Sequence, residues 1–178
     1  MSAKKKTSGR RVAAVAAAAP AGTQTAAERK TAEAQLRSLI TKFAPDHLRL
    51  ATAVRRSLRK RLPSAYEVVY EYRSWFVISY SPTGQGYEGV LAIRGDADGL
   101  KLYFNQGKDL PDPEKLLQGS SQTRWIQVER ASTVARPAVA DLIEAAIAHN
   151  RVPFAAEGQG PVVFRSATAK KSSRRKPG

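Results

Sequence analysis

The chain has 178 residues, 42% of them hydrophobic, carries a formal net charge of +15 and contains no cysteine. This length fits one domain, for which about 150 residues is a usual size, and the lack of cysteine excludes disulfide scaffolds, thiol nucleophiles and thiolate metal sites. No apolar run reaches the roughly 18 residues that cross a bilayer, so we expect a cytoplasmic protein without a membrane segment.

The positive charge is concentrated at the two ends of the chain. Residues 1–27 and 166–178 hold ten of the 30 basic residues and no acid, which leaves 20 basic and 15 acidic residues between them. Both ends are poor in large apolar side chains and cannot offset the entropy cost of ordering. We therefore predict a disordered basic tail at 1–27, a domain at 28–150, and a C-terminal extension with a basic tail at 151–178.

Three interpretations of the tails remain open. Flexible cation clusters bind polyanions through counterion release, which makes nucleic acid a candidate partner. They also serve as solubilising extensions, and the acid-free start is compatible with a targeting segment. The tail residues that we assign to nucleic-acid binding are Lys4, Lys5, Lys6, Arg10, Arg11, Lys170, Lys171, Arg174, Arg175 and Lys176.

Two helices are predicted at the start of the domain. Thr25 and Glu28 have capping-box spacing, and the apolar residues that follow recur at three and four positions up to Phe43. Pro45 ends this helix, and Asp46 is the predicted cap of a second helix at 46–62.

The second helix carries six cations without an intervening acid. In one interpretation, these cations contact the phosphate backbone of a nucleic acid. In the other, they form a solvated face of the helix, and the cations of its last turn interact favourably with the helix dipole. The residues of this helix that we assign to nucleic-acid binding are Arg56, Arg59 and Lys60.

Short runs rich in β-branched and aromatic residues follow, separated by turns. They predict strands at 67–72, 75–80, 89–94, 100–104 and 124–128, and a last helix at 136–149. The expected fold is α+β: a sheet of about five strands, mostly antiparallel because the connections are short, with helices packed on one face.

Motifs that resemble cofactor or metal sites lie in the wrong context. Gly84, Gly86 and Gly89 match a dinucleotide-binding spacing, but a strand follows where the phosphate-binding helix is required. Asp96 and Asp98 resemble the start of a calcium loop that lacks its closing acid. No other spacing supports catalysis, so we expect a non-enzymatic binding module without a cofactor.

Aromatic residues are concentrated in the predicted sheet, where nine of the 13 fall between Tyr66 and Phe104. In a sheet with helices on one face, alternate side chains point away from the helices and can form a surface for a small molecule or a protein. The alternative is that the rings fill a small core or pair across strands.

One segment of the chain carries a pattern of Leu-Tyr-Phe, a glycine, Asp-Pro, Leu-Leu and a glycine before an arginine-bearing strand. These residues are Leu102, Tyr103, Phe104, Gly107, Asp112, Pro113, Leu116, Leu117, Gly119 and Arg124. With this pattern the chain resembles the YdhG-like family, small bacterial domains of largely unknown function, over approximately Leu48 to His149.

The resemblance implies a compact α+β domain and adds iron to the candidate ligands. One branch of the family is proposed to be a frataxin-like iron chaperone, and the nearest cluster of oxygen ligands in this sequence is Asp109, Asp112 and Glu114. The sheet face or the family loop would hold a small molecule or a protein through Tyr70, Trp75, Tyr103, Lys108 and Arg124.

Overall fold

The computed structural model describes residues 24–166, which form three α-helices and one six-stranded sheet. The helices are α1 (Ala26–Phe43), α2 (Leu48–Arg61) and α3 (Pro137–His149). The strands are β1 (Tyr66–Glu71), β2 (Phe76–Ser81), β3 (Leu91–Asp96), β4 (Gly99–Phe104), β5 (Arg124–Val128) and β6 (Val162–Ser166). The predicted α+β class is confirmed.

The predicted capping box begins α1. The Glu28 carboxylate accepts a hydrogen bond from the Thr25 amide at 2.8 Å, and the Thr25 hydroxyl accepts one from the Glu28 amide at 3.2 Å. Helix α2 starts later than predicted because Pro45–His47 forms a separate 3-10 turn and His47, rather than Asp46, precedes the helix.

The strand order is β5-β4-β3-β2-β1-β6, and every neighbouring pair is antiparallel except β1 and β6. The mostly antiparallel character is confirmed, and the strand count is corrected to six. The additional strand, β6, comes from the segment predicted to be a C-terminal extension and pairs in parallel with β1. The predicted tail residues 1–23 and 167–178 lie outside the described residues.

One face of the sheet packs on the helices. Val69, Ile78, Ile93, Leu102 and Ile126 are successive partners across β1 to β5. They belong to one core cluster with the buried residues of all three helices, because alternate strand residues point to the same side of a sheet.

The other face, here called the open face, carries the strand residues that alternate with those of the core. Tyr70, Val77, Arg94, Lys101 and Gln127 are successive partners on it. The loop between β2 and β3 folds over one end of this face. A Cβ atom on its Gly86 would lie 2.0 Å from the Tyr70 hydroxyl oxygen, so glycine permits this close approach.

Candidate functional site

Two cations occupy the centre of the open face. Arg94 of β3 and Lys101 of β4 are direct cross-strand partners, and we call them the cation pair. Like charges placed directly opposite each other on a sheet are destabilising. An anion bound between them would relieve this repulsion, so the arrangement favours a negatively charged ligand.

Each cation of the pair rests on a tryptophan ring. The Arg94 Cζ atom lies 4.5 Å from the centroid of the Trp75 ring, and the Lys101 Nζ atom lies 4.5 Å from that of Trp125. Cation–π contacts of this kind hold the charged group over the ring. The rings therefore fix both cations at the surface of the sheet.

Further rings extend this surface on both sides of the cation pair. Tyr72 stacks on Trp75 with 5.1 Å between ring centroids, and Tyr103 lies 6.5 Å from Trp125 in a tilted arrangement. Tyr72 is 36% exposed. The sheet thus presents one ring cluster on the β1–β2 side and another on the β4–β5 side.

The arginine of the cation pair has unused hydrogen-bonding capacity. Its Nη2 atom lies 3.4 Å from Asp96 Oδ2, which neutralises part of its charge. Its Nε atom is buried and makes no hydrogen bond within residues 24–166. Buried polar groups are normally hydrogen-bonded, so the Arg94 Nε atom is an unpaired donor beneath the surface.

The residues predicted to bind a ligand divide between two faces of the sheet. Tyr70, Trp75 and Tyr103 share the open face. Arg124 is the partner of the buried Phe104 and therefore points to the opposite side, while Lys108 is exposed in a turn beyond β4.

The sequence interpretation missed Arg94, Lys101 and Trp125 as members of this surface. Strand alternation already placed Arg94 and Lys101 outward, because they lie between the buried residues of their strands. Their position opposite each other was not predictable, since it depends on the register of β3 and β4.

The predicted basic face of α2 is partly internal. Arg55 donates two hydrogen bonds to Glu67, at 2.8 and 2.6 Å, and two to Glu33, at 2.5 and 2.6 Å. The Glu67 side chain is only 2% exposed. Arg55 therefore joins α2 to α1 and β1, and its nitrogens are engaged by these carboxylates.

These contacts change the ionisation of the groups around Arg55. The pKa of Glu33 is lowered, mainly because its carboxylate accepts hydrogen bonds from Arg55. Burial acts to lower the pKa of Arg55, but the carboxylates of Glu33 and Glu67 outweigh this effect and raise it. Burial, followed by the charge of Glu67, raises the pKa of Tyr80 well above its ordinary value. At neutral pH the network holds an ionised Arg55 and Glu33 beside a neutral tyrosine.

The cations assigned to nucleic-acid binding on α2 have different surroundings. Arg56 and Lys60 are exposed, and no ion pair or hydrogen bond engages their side chains within residues 24–166. Arg59 Nη1 donates to Glu33 at 3.0 Å and lies 3.6 Å from Glu67. The cations assigned in the two tails lie outside the described residues.

The three acids predicted as iron ligands have separate roles. The Asp112 carboxylate accepts from the amides of Leu116 and Leu117 at 2.9 and 2.8 Å, and the Asp109 carboxylate accepts from Gln122 at 2.5 Å. Glu114 is exposed. Within residues 24–166, no three acids or histidines are grouped closely enough to hold a metal ion.

Comparison with protein-family models, with curated proteins and with solved structures finds no match to this chain. Membership of the YdhG-like family therefore stays a prediction from the sequence. Among residues 24–166, no helix is both long and apolar enough to cross a membrane.

Proposed function

We propose that this protein is a non-enzymatic binding module that holds single-stranded nucleic acid on the open face of its sheet. The observation that carries the proposal is the cation pair of Arg94 and Lys101, flanked on both sides by aromatic rings. A single strand supplies what this surface lacks, because its phosphates are anionic and its unpaired bases present flat π faces.

The dimensions of the surface fit a short stretch of such a strand. The ring clusters are separated by three strand steps, from β2 to β5, which corresponds to about 14 Å at 4.7–4.9 Å per step. Sheets that bind RNA through exposed aromatic residues stack two or three bases over a comparable area. We expect a phosphate near the cation pair and bases against the two ring clusters.

The charge distribution of the chain supports the same class of ligand. The terminal segments carry ten cations without an acid, and such segments add affinity for phosphates without sequence preference. We propose that they strengthen binding, while the open face selects single strands over duplexes because only unpaired bases can contact its rings.

The experiment that tests this proposal uses the intrinsic fluorescence of the protein. Both tryptophans of the chain, Trp75 and Trp125, lie on the open face, so a base that contacts the rings alters the emission. We expect a single-stranded oligo(U) to change the fluorescence of the full-length chain, and a duplex of equal length to change it much less.

Removing charge from the open face distinguishes its contribution to binding from that of the tails. In the Arg94→Gln/Lys101→Gln variant we expect a salt-dependence slope smaller by about 1.4 in log–log form, because each phosphate contact contributes about 0.7 for single strands. The matched control, Lys30→Gln/Arg49→Gln, removes one lysine and one arginine that are exposed on α1 and α2. Equal losses in both variants, or oligonucleotide binding without a fluorescence change, would contradict the proposal.

A further inference from the structure

A second concave surface lies on the helix side of the molecule. It is a cleft of about 450 Å³ between α2 and the segment that precedes β6. Small-molecule sites commonly have volumes of about 300 to 1,000 Å³. Four cations of α2 line it together with Glu33, Thr52 and Gln159.

The four cations of this cleft differ in how much of their charge is already engaged. Arg55 is engaged with Glu33 and Glu67, as described above, and Arg59 uses only Nη1. Arg56 and Lys60 have no ion pair or side-chain hydrogen bond within residues 24–166. Three cations therefore retain donors that can face a ligand.

The positions of Arg56 and Lys60 are electrostatically unfavourable when no ligand is bound. Arg56 and Lys60 are four residues apart on α2, and like charges at this spacing destabilise a helix. Among residues 24–166, Glu33 is the one acid that lines the cleft, and its charge is already shared by Arg55 and Arg59. A bound anion would reduce the repulsion and complete the hydrogen bonds of the cations.

From this arrangement we infer that the cleft binds a small phosphorylated molecule, whose phosphate group contacts Arg56, Arg59 and Lys60. Arginine forks and lysine ammonium groups are the side chains that bind phosphate best. Gln159 and Thr52 line the same cleft and provide polar groups for the remainder of the molecule. This site is separate from the open face, because α2 lies on the other side of the sheet.

The local extent of the charge favours a small molecule over a polynucleotide. A nucleic-acid backbone requires a continuous track of cations, but the basic surface of α2 is interrupted at its end, where Arg61 donates to Glu144 at 3.0 Å. Arg49, at the other end of the helix, does not line the cleft. Arg56, Arg59 and Lys60 are thus the cations of α2 that lie together at one compact site.

The test uses fructose 1,6-bisphosphate, which carries phosphate but no aromatic base and so cannot stack on the open face. We expect it to shift the amide resonances of Thr52 and Gln159 in the full-length chain, and the Arg56→Gln/Lys60→Gln variant to bind it at least about tenfold more weakly. The Lys30→Gln/Arg49→Gln control and the Arg94→Gln/Lys101→Gln variant should bind it as the wild type does.

Either of two outcomes would overturn the inference. One is equal weakening in the cleft variant and in the Lys30→Gln/Arg49→Gln control, which would indicate general attraction to a basic protein. The other is that a single-stranded oligonucleotide shifts Thr52 and Gln159 while fructose 1,6-bisphosphate does not, which would make the cleft part of a nucleic-acid surface. The Lys60→Arg variant, which keeps the charge, should retain binding.

Discussion

Arg55 is the residue whose role differs most from its appearance in the sequence. It lies within a run of surface cations, yet it is the partner of the buried Glu67. Removing one member of a buried ion pair costs about 3–5 kcal/mol because the other charge stays buried without compensation. The stability of this fold therefore depends on one arginine of α2 much more than on its neighbours.

The first prediction concerns this arginine. We expect Arg55→Leu to lower the free energy of unfolding by about 3–5 kcal/mol, measured by urea denaturation at pH 7 with far-UV circular dichroism. The control, Arg56→Gln, removes an exposed cation at the next position of α2. It should change the free energy of unfolding by less than about 0.5 kcal/mol. Similar effects of the two substitutions would show that the Arg55 network does not stabilise the fold.

The second prediction concerns pH and Glu33. The pKa of this carboxyl is lower in the folded chain than its usual value of 4.5, so the unfolded chain binds more protons in acid. Its contribution to stability is present above pH 4.5 and is lost as the pH falls through the lowered value. We expect the stability difference between the wild type and Glu33→Gln to shrink between pH 7 and pH 3 in urea denaturation. A constant difference would contradict the assigned ion pair.

At the scale of elements, the junction between α2 and the last strand has little room for substitution. A Cβ atom on Gly160 would lie 1.7 Å from the backbone oxygen of Ala65, and the Gly160 amide donates to the Pro63 carbonyl at 2.9 Å. Backbone atoms cannot move aside as flexible side chains do. Glycine at this position therefore allows the chain to enter β6 beside β1.

The third prediction follows from this contact. We expect Gly160→Ala to displace the segment that leads into β6 and to lower stability by about 1–3 kcal/mol, as overpacking generally does. Native-state hydrogen exchange should show faster exchange at the Glu67 amide, which donates to Pro161, with little change at Ile93 in the sheet centre. Ala156→Ser, in the exposed part of the same segment, is the control, and equal exchange in both variants would contradict the account.

Local signals predicted most of the elements. The capping box of α1 involves residues three apart, and the strands of the central sheet carry dense β-branched and aromatic runs between turns. Strand β6 was missed because its five residues follow a segment rich in glycine and alanine and pair with a strand almost 100 positions earlier. No local pattern encodes such a parallel pairing.

The candidate site was predicted less completely than the fold, for a related reason. The aromatic enrichment of the strands indicated a surface with Tyr70, Trp75 and Tyr103. The cation pair depends on the register between β3 and β4, and the burial of Arg55 depends on acids from α1 and β1. Both features arise from tertiary packing, which single-sequence patterns do not specify.

At the scale of the whole molecule, the sheet separates two surfaces for which we propose different ligands. The open face carries rings and the cation pair, while the cleft beside α2 carries cations without rings. The fourth prediction is that a saturating single-stranded oligonucleotide leaves the affinity for fructose 1,6-bisphosphate unchanged within about twofold, measured by calorimetry. Competition between the two ligands would mean that they share a site.

Mapping where a single strand contacts the protein tests the role of the open face. Ultraviolet crosslinking of the full-length chain to oligo(U), followed by mass spectrometry, identifies residues in contact with bases. We expect crosslinks at Tyr72, Trp75, Tyr103 and Trp125 on the open face. Crosslinks confined to α2 or to the terminal segments, with none on these four rings, would contradict this expectation.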